Sequence, residues 1–174
     1  MSRHPIPEGH TAAVPYLSVH DGAAAITFYV RAFGAVETMR LAEPSGKIGH
    51  AELSIGAARF SLADEYPDLG LVGPKTLGGT AVTIHVYVED VDTLVTQAVE
   101  AGATLLRPVK DEFYGDRTGQ LEDPFGHVWS VQTRVEDVSP KQMQKRLDAM
   151  MKGSSPKPSP SPAPKAATKS KSKR

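Results

Sequence analysis

The chain has 174 residues, enough for one well-buried domain and an appendage, and contains no cysteine. That excludes disulfides, thiolate zinc sites and a cysteine nucleophile, and it fits a reducing, cytoplasmic setting. The formal net charge is zero, but residues 152–174 hold seven of the 20 basic residues and no acid, so 13 basic face 20 acidic residues in the rest, a body near −7.

Residues 1–10 read as a flexible polar leader, and no run approaches the roughly 18 apolar residues that a membrane span requires. Residues 14–19 alternate as a strand with Leu17 and Val19 on one face and Tyr16 and Ser18 on the other. Asp21 caps a helix to about Phe33, with Ile26, Tyr29, Val30 and Phe33 as its inward stripe and Gly34 as its stop. A strand at 36–41, a turn at Pro44-Ser45-Gly46 and a hairpin of 49–55 with 57–63 around Gly56 complete a first unit. The Gly- and Pro-rich stretch 67–79 reads as a linker.

The same order then recurs. Residues 82–88 form a strand, Asp90 or Asp92 caps a helix carrying Leu94, Val95, Ala98 and Val99 inward to Gly102-Ala103, and a strand at 104–107 leads into a loop at 108–115. Glu122-Asp123-Pro124-Phe125-Gly126-His127 has tight-turn chemistry, so a strand lies on each side of it. The repeat offset is about 69 residues: Val19 maps to Val88, Asp21 to Asp90 and Ser61 to Ser130. Ser139 and Pro140 then start a third helix whose Met143, Leu147, Met150 and Met151 share one side, suited to packing across the domain or against a second subunit.

The expected fold class is α+β, with duplicated βαβββ modules forming a curved, cup-shaped mixed sheet and helices on its convex side. The domain spans 11–138, with modules at about 11–66 and 80–138; a C-terminal helix at 139–151 and a disordered Lys/Pro/Ser/Ala-rich tail at 152–174 follow. If the tail has a partner, its seven positive charges suit weak, non-specific phosphate contacts with nucleic acid.

Strand parity selects the residues that face the cup. If Ile84, Val86 and Val88 pack on a helix, then Thr83, His85 and Tyr87 face the cavity, together with Tyr16, Ser18, Glu52, Ser61, Ser130 and Gln132, while Trp129 and Val131 go to the core. Tyr114, Asp116 and Arg117 furnish a rim; Asp116 and Arg117 read either as a surface pair or as an arginine gripping an anionic substrate. His4, His10 and His20 are expected to face solvent, and His127 to bond back to its own turn. His85 sits mid-strand on the cavity face, with His50 and Glu52 on the matching surface of the other half. No phosphate-cradling glycine loop, HExxH or GxSxG occurs.

The run YGDRTGQLEDPFGHVW at 114–129 resembles the final hairpin of the vicinal oxygen chelate superfamily, which includes glyoxalase I, bleomycin-resistance proteins and extradiol dioxygenases. More narrowly, it is similar to the glyoxalase-like branch associated with phosphonate metabolism. The resemblance implies a protein that binds a small organic ligand in a polar-aromatic cup, as a lyase- or isomerase-type enzyme or as a drug-sequestering binder, with a homodimer as the expected assembly. It also implies four His and Glu metal ligands, one on the first and one on the final strand of each half. Laid on those strands, the ligand positions fall on Val14, Ser61, Thr83 and Ser130, none a good divalent-metal ligand. No cofactor is therefore expected; a divalent metal is the alternative, since a two-residue slip brings His85 to a ligand position.

Overall fold

A computed structural model describes residues 13–153, so His4, His10, the leader and the tail from 154 onward lie outside the described residues. The chain divides into two compact units, the first ending at Val138 and the second beginning at Ser139.

In the first unit, β1 (Tyr16–Val19), α1 (Gly22–Phe33), β2 (Val36–Ala42), β3 (Ile48–Ile55) and β4 (Ala58–Asp64) form one module, whose sheet has the order β1-β4-β3-β2. After the short α2 (Pro74–Leu77) comes the second module, comprising β5 (Thr83–Tyr87), α3 (Val91–Ala101), β6 (Thr104–Asp111), β7 (Asp116–Glu122) and β8 (Val128–Arg134), with sheet order β5-β8-β7-β6. The first and last strands of each module pair in parallel and the other neighbours antiparallel, so each sheet is mixed. The duplication extends to single bonds. Tyr16 pairs with Ser61 and His85 with Ser130, each 69 positions on. Likewise Gly22 N donates to Asp64 Oδ1 at 3.0 Å, and Val91 N donates to Thr133 Oγ1 at 2.9 Å.

Both helices start and stop where the residues say. The side chains of Asp21 and Asp90 accept from Ala24 N and Thr93 N, and Gly34 and Gly102 end the helices in the left-handed conformation. Val30, expected inward, is 43% exposed, because it falls about 40° past Ile26 on a helix of 3.6 residues per turn. Phe28 takes its place in the core. Val99 is likewise 42% exposed, and Val91 packs instead.

Two further expectations change. The linker contains α2, and Glu65 holds it down by accepting from Gly73 N and Thr76 Oγ1 at 2.7 Å. Pro108 lies within β6 and not in a loop; β6 is the edge strand of its sheet, where a missing N–H costs no ladder bond. The two modules share one core, in which Trp129 of β8 meets Phe33 and Tyr29 of α1 and Phe60 of β4 at ring-centroid distances of 4.8, 5.6 and 5.7 Å.

In the second unit, α4 (Pro140–Gly153) begins with a reciprocal cap: Ser139 N donates to Gln142 Oε1 at 2.9 Å, and Gln142 N donates to Ser139 Oγ at 3.4 Å. None of its residues is buried, and Leu147, Met150 and Met151 are exposed.

Candidate functional site

The residues singled out by strand parity sort into two polar faces, one on each sheet. On the first, Tyr16, Ser61 and Glu52 form a cross-strand row through β1, β4 and β3. The Tyr16 hydroxyl lies 3.1 Å from His50 Nδ1, and burial raises its pKa above the usual tyrosine range. His50 Nε2 and Arg59 Nη1 stand 3.7 and 3.8 Å from the Glu52 carboxylate. Ser18 offers its backbone to the other module, since its carbonyl oxygen lies 3.1 Å from His127 Nε2. That oxygen can only accept, so Nε2 carries the proton. The expectation that His127 bonds back to its own turn is therefore corrected: its ring crosses to β1, and only its backbone N–H donates to Asp123 in the turn.

The second face is richer. One row runs His85, Ser130, Gln120 and Arg107 across β5, β8, β7 and β6, and the next runs Tyr87, Gln132, Thr118 and Lys110. The Gln132 amide donates to His85 Nδ1 at 3.0 Å, which places the proton of a neutral imidazole on Nε2. Tyr87 donates to Asp116 Oδ2 at 2.7 Å, and this bond, more than partial burial, raises its hydroxyl pKa above the ordinary range.

Asp116 and Arg117 point to opposite faces of β7, as neighbouring strand residues must. Arg117 turns to the helix side, where Nε and Nη2 donate to Asp92 at 2.6 and 2.8 Å and Nη1 donates to Asp111 at 2.9 Å. Its hydrogen bonds to Asp92 and then to Asp111 raise its pKa further. The same contact holds the Asp92 carboxyl below the usual carboxylate range.

A cavity of about 200 Å³ opens on the second face, lined by His85, Tyr114 and Ser130 together with Thr83, Arg107, Lys110, Glu112, Thr118 and Gln120. Tyr16, Ser18, Glu52 and Ser61 lie on the other sheet, and Arg117 on the other side of this one. Thus the cavity draws on the second module alone, although both halves were expected to enclose one cup. A broader groove of about 970 Å³ does border both modules, between Ile55–Ala58 at the β3–β4 turn and residues 85–89 of the second. Arg107, Lys110, Thr118 and Gln120 also line this cavity and were not among the residues that parity singled out; of these, Lys110 falls in the stretch 108–115 that reads as loop. The available signal was the pair of cationic residues on either side of Pro108-Val109, in a strand that needs no donor at the proline.

The resemblance implies a metal held by His and Glu on the first and final strands of each module. Ser61 and Ser130 face Tyr16 and His85 across their sheets, a set with a single imidazole and no carboxylate. Among the described residues no three His, Asp or Glu side chains gather as metal ligands. The residues do not fit the implied His and Glu site, and no step is derived through a metal.

Among known proteins, the chain is similar to the uncharacterized protein Rv0887c of Mycobacterium tuberculosis, 42% identical over 145 residues, which cover 82% of this chain and 85% of that one. Its structure is similar to TioX from Micromonospora sp. ML1, with 27% identity and a TM-score of 0.58, covering 72% of this chain and all of that one. A PhnB protein from Bacillus cereus shares the fold at 17% identity and a TM-score of 0.55, over 71% of this chain and 99% of that one. The family model of the Glyoxalase/Bleomycin resistance protein/Dioxygenase superfamily matches residues 9–131, and the chain belongs to that superfamily.

Proposed function

We propose that this protein binds a small organic ligand on the polar face of its second module, without the His and Glu metal site of glyoxalase-like relatives. The observation that carries the reading is the cavity in which a mid-strand histidine, a tyrosine, an amide and three Ser/Thr hydroxyls converge on one face. Aromatic surface and hydrogen-bonding groups at that spacing orient a molecule without requiring a metal. If the ligand is transformed, the lyase or isomerase class needs a side chain that can move a proton on the ligand, and His85, with its Nδ1 held by the Gln132 amide, is the group this face offers. The protein acts as a homodimer in this reading, supported by the exposed Leu147, Met150 and Met151 on α4. The likeness of its closing hairpin to the phosphonate-associated branch supports placing it among PhnB-like members.

An NMR titration of the full chain with a library of small carboxylates, phosphonates, amides and phenols tests the site. Shifts confined to His85, Tyr114, Gln120 and Ser130 are expected. A ligand that instead moves only Tyr16, His50 and Glu52 overturns the assignment to the second module.

A second reading, drug sequestration, is favoured by the broader groove, whose volume lies at the upper end of the roughly 300–1,000 Å³ range of drug-sized pockets. Antibiotic protection of cells expressing the chain, lost on Ala57→Trp at the groove wall, would support it.

A further inference from the structure

We infer that the second-module cavity is an oxyanion subsite, which takes its ligand by a carboxylate or phosphonate group held against Arg107 with Thr118 and Gln120 as neutral donors. The inference rests on reading this face as the binding face, and it adds the charge and the anchoring group of the ligand.

The charges at the cavity do not cancel. Lys110 Nζ pairs with Glu112 Oε1 at 3.2 Å, whereas Arg107, on the same strand, forms no ion pair with any acid among the described residues. That leaves one uncompensated guanidinium in a body with 13 basic and 20 acidic residues. Against an acidic background a lone arginine at a concave polar site concentrates anions locally. Its planar fork matches the paired oxygens of a carboxylate or a phosphonate.

The backbone is built to present it. The pairing of β6 with β7 slips on both sides of Arg107, between Leu105 and Arg107 and again between Arg107 and Lys110. Such irregularities re-aim a side chain, and here they bring Arg107 into register with Gln120 and Lys110 with Thr118. Thr118 supplies the second, independent observation: the residue lines this cavity, and its Oγ1 is the one buried side-chain polar atom among the described residues without a hydrogen-bond partner. A buried hydroxyl left unbonded is costly, so a partner at this point is expected. An oxyanion accepts from Thr118, Gln120 and Arg107 together, which a neutral, donor-rich ligand cannot do.

At about 200 Å³ the cavity falls below the drug-sized range, so it seats an anionic group and a small ring or chain, with any larger remainder extending outward over His85 and Tyr87. Carboxylate and phosphonate share the recognition chemistry, and the test separates them.

The experiment is calorimetric titration of the full chain with benzoate, phenylphosphonate and the neutral benzamide, with NMR shifts as the locator. One or both anions should bind with shifts at Thr118, Gln120 and Ser130, and benzamide should bind at least about tenfold more weakly. Preference between the two anions assigns the planar or the tetrahedral group. Arg107→Gln should weaken anion binding about tenfold, Thr118→Val about threefold, and Arg107→Lys should restore part of the loss. Arg31→Gln, on the exposed side of α1, should change nothing. Benzamide binding as tightly as benzoate, unaltered by Arg107→Gln, would overturn the oxyanion assignment and leave a small-ligand site standing. If no probe shifts any residue of this face, both the assignment and the reading beneath it fall.

Discussion

Tyr29 donates its phenolic hydrogen to Asp123 Oδ2 at 2.7 Å, joining the helix of the first module to the closing turn of the second across 94 positions of sequence. The same carboxylate, 2% exposed, accepts from the Trp129 indole at 2.9 Å and from the backbone N–H groups of Phe125 and His127, each at 2.9 Å. One buried charge thus satisfies four donors, sets the turn and orients the tryptophan at the centre of the core. It also fixes the start of β8, which carries Ser130 and Gln132 to the polar face.

Asp123→Ala strands those donors in a dry site, and should lower the unfolding free energy by about 3 kcal/mol or more. Tyr29→Phe removes one donor and should cost about 1–2 kcal/mol. Because both act through the same bond, the double variant should be little less stable than Asp123→Ala alone in urea titrations. Strict additivity would show that the two residues are energetically independent.

Alkaline pH should act through the same pair. Burial first, and then the Asp123 carboxylate, push the Tyr29 hydroxyl well above its ordinary range. A folded-state pKa above the unfolded value of about 10 gives stability that is present below pH 10 and lost as pH rises from there through the folded value. The stability difference between wild type and Tyr29→Phe should therefore hold steady from pH 7 to 9 and shrink above about 10. A difference that widens there contradicts the sign.

Trp129 and Tyr87 separate structure from surface. Trp129 is 1% exposed and contacts three aromatic rings of the first module, so Trp129→Ala should cost about 3–5 kcal/mol by opening a cavity. Tyr87 is 63% exposed, and Tyr87→Phe loses a single bond to Asp116, so the fold and the melting curve should persist while ligand affinity falls. Equal melting shifts for the two variants would contradict the placement.

Gly115 precedes β7 at φ 99°, and a Cβ there would clash with the carbonyl oxygen of Glu136. Its own carbonyl accepts from Val135 and Glu136, which ties the end of β8 to the cavity rim. Gly115→Ala should cost more than about 1 kcal/mol, through both the left-handed backbone and the clash. Because Tyr114 and Asp116 flank the position, ligand affinity should fall along with the melting temperature.

Much of this molecule was legible without coordinates because its signals are local. The caps at Asp21 and Asp90, the glycine stops and the Asp-Pro-Phe-Gly turn each depend on a few neighbouring residues, and strand alternation correctly sent Trp129 and Val131 inward. The reach of β6 past Arg107 to Lys110 stayed hidden because proline is ordinarily a loop signal, and only the place of β6 at the sheet edge makes Pro108 a strand residue. Arg117 has alternation on its side but no local clue that Asp92 of α3 waits beneath it.

The sequence by itself determined the two βαβββ repeats, the 69-residue register between them and the division of each strand into an apolar and a polar side, because these follow from periodicity and turn chemistry within short windows. Only the tertiary structure decided which polar residues meet. The cross-strand row of His85, Ser130, Gln120 and Arg107 takes one residue from each of four strands, and its alignment is set by the slips in β6 and by the core that Tyr29, Asp123 and Trp129 lock between the modules. Long-range register is a property of packing, and no window of neighbouring residues contains it.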